Sequence, residues 1–162
     1  MADDPPWLAT AKSHKGLKEV PGPKHNSTIV LWLEKLRAWW KDDETPWCGV
    51  FVAHCMQEAG FDLPKFWMRA RAWETWGSNL RQDRLAPGAI LVFERKGGGH
   101  VGFYVAEDPR FYHVLGGNQS NSVNITRIAK SRLTAARWPK GYPVVRGPLW
   151  AKAEGAVSRN EA

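Results

Sequence analysis

The chain has little cysteine: Cys48 and Cys55 are the only two in 162 residues, which excludes a disulfide-built scaffold. The residues between them read as helix, so their Cα atoms stand about 10 Å apart at a rise of about 1.5 Å per residue. A disulfide spans less than about 7 Å. Both thiols are therefore expected to be free, as suits folding in a reducing compartment. No stretch approaches the roughly 18–20 apolar residues of a membrane-spanning helix. The start, Met-Ala-Asp-Asp-Pro-Pro, has neither the basic nor the apolar run of a secretory signal. Walker-type loops, dinucleotide fingerprints and H-E-x-x-H are missing, and Gly97-Gly98-Gly99 lacks the Lys and Ser/Thr of a phosphate loop. Cys48, His54, Cys55 and His100 make a poor zinc set, because the two cysteines lie about two helical turns apart and His54 projects from another face. No metal or other cofactor is expected.

The composition supports one domain. A length of 162 residues with 43% apolar content suffices for one core, assigned to residues 1–150, and the patternless residues 151–162 are expected to fray. Ten tryptophans are unusually many, and most are expected in the core. The net charge of +7 comes from Lys and Arg spread along the chain, matching no nucleic-acid module. Dispersed positive charge suits non-specific attraction to an anionic surface such as a bacterial envelope.

The first half reads as helices and the second as strands. Residues 7–20 carry apolar residues at mostly helical spacing up to Val20-Pro21-Gly22-Pro23. Asn26-Ser27-Thr28 offers an N-cap for a second helix with Ile29, Leu33 and Leu36 on its apolar side. Pro46 suits the first turn of a third, capped by Thr45 or Asp43 and ending near Gly60. Residues 66–76 form a short helix or irregular segment closed by Gly77. Strands are expected at 89–93, 101–106, 111–115 and 123–128, with 144–146 a possible fifth. Helices followed by antiparallel strands describe an α+β domain.

Cys48 stands where a polar loop turns into an apolar helix, in P-W-C-G-V-F-V-A-H. Unpaired N–H groups and the helix dipole lower a thiol pKa there. Cys55, on the same face, reads as a buried small hydrophobe. G-G-G-H-V-G-F and L-G-G-N-Q supply His100 and Asn118. A hairpin turn over 107–110 pairs Ala106 with Phe111 and sets His100 opposite Gly117, beside Asn118. A side chain at 118 can then bond one imidazole nitrogen while the other faces the thiol. His113, the rival third member, falls opposite Tyr104, about 13 Å from His100, so Asn118 is preferred. The glycine run before His100 leaves the thiol open to a bulky polymer or is only a flexible loop, and Gly116-Gly117 can be a bulge.

E-V-P-G with Asn26, P-W-C-G-V-F-V, A-P-G-A-I-L-V-F, G-H-V-G-F, L-G-G-N-Q and V-V-R-G-P resemble, in that order, the NlpC/CHAP group of papain-like peptidoglycan hydrolases. Within it they are most similar to small phage- and prophage-encoded members. The resemblance implies a papain-like fold in which N-terminal helices precede a catalytic cysteine at a helix start, packed on an antiparallel sheet. It implies Cys48 as nucleophile, His100 as base and Asn118 as its orienting residue, with the Cys48 N–H as one oxyanion donor. The chain departs from the group at Ala89, often Asp there, and at Gly116, where a CHAP-like Glu stands two residues before the Asn. The second departure favours a triad over a four-residue site. Trp47, Asp43, Glu19 and Gln119 are candidate substrate contacts, Trp47 equally a core residue.

The implied reaction is cleavage of a peptidoglycan amide through a thioester, between muramic acid and L-alanine or within the stem peptide. An endolysin made in the host cytoplasm and released to the wall is preferred over an injected effector, and a monomer is expected. The rival functions are a non-catalytic wall-binding module and a cysteine hydrolase or acyltransferase on another substrate.

Overall fold

The computed structural model describes residues 4–18, 26–38 and 47–159. Three helices, α1 (Pro6–Ser13), α2 (Ser27–Lys35) and α3 (Cys48–Glu58), precede seven strands. These are β1 (Ser78–Asn79), β2 (Ile90–Arg95), β3 (Gly98–Glu107), β4 (Phe111–Gln119), β5 (Ser122–Ala129), β6 (Leu133–Trp138) and β7 (Val157–Ser158). They make one sheet in the order β1-β6-β2-β3-β4-β5-β7, antiparallel except where β7 runs parallel to β5. The α+β reading, with helices first and an antiparallel sheet second, describes this architecture.

Local chemistry accounts for the helices. Asn26 caps α2 by accepting from the N–H groups of Thr28 and Ile29 at 2.9 and 3.3 Å. Helix α1 stops at Ser13, earlier than its apolar spacing suggests. Gly16 adopts a φ of +99° and turns the chain to bond β5 through Val123. Every residue of α3 from Cys48 to Met56 is buried, so it is a core helix between α1 on one side and β3–β4 on the other.

Two glycines set how closely α3 approaches its neighbours. A Cβ at Gly117 would stand 2.8 Å from the Phe51 Cβ and the Trp47 ring, and one at Gly49 would stand 2.7 Å from the carbonyl oxygens of Trp67 and Met68. The first lets β4 lie against the helix start, and the second lets the 67–68 loop close over it.

The sheet differs from the sequence expectation at several points. The β3–β4 turn closes around Asp108, whose carboxylate accepts from the N–H groups of Arg110 and Phe111 and whose N–H bonds the Phe111 carbonyl. Ala106 therefore faces His113, not Phe111, and a shift before it sets Tyr104 opposite Val114. Strand β4 runs on to Gln119, through a second shift between Gly116 and Gln119.

The place beside β2 goes to β6 rather than to 144–146, which form no strand. Leu-Thr-Ala-Ala-Arg-Trp has few large apolar residues and hides this strand from a hydrophobicity reading. The Val145 side of the expected strand is instead 70% exposed. The segment expected to fray is tethered where Val157 and Ser158 pair with Arg127 and Ile128.

Gly117→Ala is expected to cost about 1–3 kcal/mol by overpacking the α3–β4 contact, read as a lower denaturant midpoint. An unchanged midpoint would show that the helix does not depend on this close approach.

Candidate active site

Cys48 is the first residue of α3, and the preceding Trp47 makes no side-chain cap on the helix. The first N–H groups of any α-helix have no partner within the helix itself. Cys48 is 6% exposed and borders a cavity of about 280 Å3 walled by Met68, Arg69, Arg71, Arg95, Gly98 and Gly99. Burial alone works to raise its pKa. The neighbouring His100, with the backbone N–H groups of Val101 and Gly49, outweighs burial and brings the net shift below the ordinary thiol value. Cys55 shows the opposite case, since burial and the nearby Glu58 push its thiol well up.

His100 is fully buried on β3, its ring stacked on Phe93 with centroids 6.5 Å apart. Its Nε2 lies 2.9 Å from Oε1 of Gln119. The orientation of that carboxamide is fixed independently. Gln119 Nε2 donates to the carbonyls of Val114 and Asn124 at 3.1 and 2.7 Å and approaches Asn124 Oδ1 at 3.0 Å. Oε1 must then be the atom facing His100, and it can only accept. Nε2 of His100 therefore carries hydrogen, and Nδ1 is the nitrogen that can take a proton from the thiol.

Asn124 returns the contact, its Nδ2 donating to the Gln119 carbonyl and to Ser122 Oγ, both at 2.8 Å. Gln119, Asn124 and Ser122 thus form one bonded unit behind the imidazole. Gly116 leaves the necessary room, because a Cβ there would lie 2.7 Å from Gln119 Oε1 and 3.4 Å from His100 Nε2. The Gln119 carboxamide occupies the space in which a side chain at 116 would begin.

The expected third member and substrate contacts fall in different surroundings. Gln119, expected on substrate, is 1% exposed and bonds the imidazole. Asn118 is buried with a φ of +58°. The shift between Gly116 and Gln119 breaks the plain alternation that points to position 118. His113 is engaged elsewhere, bonded to Asp108 Oδ2 at 2.8 Å, with Arg127 on the same oxygen at 3.0 Å. Burial would raise the Asp108 pKa, but its bonds to His113 and Arg127 draw it down to about 2. Trp47, the other candidate contact within the described residues, is buried against Gly117 and belongs to the core. Glu19 and Asp43 lie outside the described residues. Arg69, Arg71 and Arg95 were missed as groove residues because they sit in segments with no motif of their own.

Among known proteins, the CHAP domain family matches residues 40–118, a span that includes Cys48, His100 and Asn118. This supports the resemblance to CHAP/NlpC-type papain-like peptidases, and CHAP domains are typically cysteine- and histidine-dependent amidases or peptidases. No curated protein matches the chain. A solved structure, the P60 domain of an antigen from M. avium paratuberculosis, is similar at 12% identity and a TM-score of 0.49, covering 81% of this chain and 87% of that one.

Iodoacetamide is expected to alkylate Cys48 well before Cys55, followed by mass spectrometry of the two tryptic peptides. Faster labelling of Cys55 would contradict the opposed thiol environments.

Proposed function

We propose that this chain, similar over residues 40–118 to the CHAP domain, is a cysteine hydrolase that cuts an amide bond of peptidoglycan. The bond lies between muramic acid and L-alanine or within the stem peptide. The observation that carries this reading is the line from Gln119 through His100 to Cys48, in which the carboxamide fixes the imidazole tautomer beside a thiol of lowered pKa. A wall-binding module has no use for such a line.

The chemistry follows from the geometry. Nδ1 of His100 takes the Cys48 proton, and the thiolate adds to the carbonyl carbon of the amide. The oxyanion formed meets the N–H of Cys48 at the positive end of α3. His100 then gives its proton to the departing amine, the C–N bond breaks and a thioester remains. His100 next draws a proton from water, whose oxygen attacks the thioester. Collapse releases the carboxylic acid and returns the proton to sulfur.

The role proposed is that of an endolysin acting as a monomer, made in the host cytoplasm and active at the wall after release. A net charge of +7 favours retention near an anionic envelope.

Mass spectrometry of purified peptidoglycan digested by the wild type and by Cys48→Ala tests the reading. New stem-peptide fragments from the wild type alone are expected, and their ends identify the bond. Intact sacculi with both folded proteins would return the choice to a binding module or another acyl substrate. Gln119→Leu is expected to lower kcat/KM by about 10²-fold, within the range that a positioned acid–base group contributes. Asn118→Gly, which suits the positive φ, is expected to lose much less. The reverse order would restore the orienting role to Asn118.

A further inference from the structure

The groove beside Cys48 is cationic on one side. Arg69, Arg71 and Arg95 wall the cavity that opens on the thiol. Arg71 and Arg95 also border an adjoining depression of about 380 Å3, completed by Lys96, Arg132, Arg159 and Glu94. Among the described residues Glu94 borders the depression, and Glu74 meets Arg71 Nη1 at 3.5 Å.

The arginines nearest the thiol are tied mainly to backbone carbonyls, which orient a guanidinium without cancelling its charge. Arg95 Nε donates to the Gly99 carbonyl at 3.0 Å, and Arg71 Nη2 to the Gly98 carbonyl at 3.4 Å. Both carbonyls belong to the strand that carries His100. Gly99 makes this placement possible, since a Cβ there would stand 3.0 Å from Arg71 Cγ. The glycine run before the histidine thus brings arginine close to the nucleophile. A guanidinium is a planar fork of donors that fits a carboxylate.

We propose that the groove selects acyl substrates whose residues flanking the scissile amide carry free carboxylates, the nearest seated between Arg71 and Arg95 and the next toward Lys96. This rests on the hydrolase reading and names its substrate class, the carboxylate form of the stem peptide over its amidated form. The cations collect along one continuous path from Cys48, and a peptide running along that path would place successive acidic groups against them.

Two measurements test this with the same pair of probes, synthetic N-acetylmuramoyl stem peptides with free carboxylates, which contain both candidate bonds, and the same compounds fully amidated. In binding to Cys48→Ala, the free form is expected to bind about ten-fold tighter, the scale of one charge-assisted hydrogen bond. That preference should shrink with added salt. In turnover by the wild type, the difference should fall mainly in KM, and Arg71→Gln with Arg95→Gln should remove most of it. Equal binding of the two forms, or tighter binding of the amidated one, overturns the inference and leaves the hydrolase reading in place. A ten-fold binding preference without cleavage of either peptide supports the anionic-ligand groove and overturns the hydrolase reading.

Discussion

The bond on which the site depends is the one from Nε2 of His100 to Oε1 of Gln119. An imidazole can present either nitrogen as base, and a neighbour must decide which. Here the neighbour is itself constrained, because Asn124 and the Val114 carbonyl use the amide nitrogen of Gln119 and leave only its oxygen for the ring. The network is reciprocally bonded and, apart from the half-buried Asn124, buried, so its members gain rigidity from one another. A catalytic sulfur at a helix start would be of limited use without a base held in one tautomer and one orientation.

Small residues make that alignment sterically possible. Gly49 and Gly117 bring the loop at 67–68 and strand β4 against the first turn of α3, while Gly116 opens the space that Gln119 fills. Gly102 does the same inside the sheet, where a Cβ would come within 2.5 Å of Val114 Cγ1. Positions that look like spacers in P-W-C-G, G-H-V-G and L-G-G-N thus act as contact points, Gly117 between helix and sheet, Gly49 between helix and loop, and Gly102 and Gly116 within the sheet. The same run of glycines that walls the cavity at the thiol also seats Arg71 beside it.

Much of this was legible in the sequence. The break from helical to alternating apolar periodicity located the α+β division, and Asn26 announced the start of α2. Cys48 and His100 stand out by their settings, a loop-to-helix junction and a strand entry. The side chain that bonds His100 does not, because it depends on register. Asp108 tightens the β3–β4 turn, and a bulge rotates the end of β4, so that Gln119 rather than the residue before it supplies the bond seen on His100. Strand β6 escaped notice for a different reason, its alanines and polar residues giving almost no hydrophobic signal. The arginines of the groove lie far apart in sequence and meet only through the fold.

The measurement that bears most directly on the central claim is the ultraviolet titration of the Cys48 thiolate, taken as the difference between the protein and its Cys48→Ala variant. The thiolate is expected to form below the ordinary thiol range of about 8.5 in the wild type, and to form at higher pH in both His100→Ala and Gln119→Leu. A wild-type titration in the ordinary range, or one that Gln119→Leu leaves unmoved, would contradict the account of a thiol activated through a carboxamide-fixed imidazole.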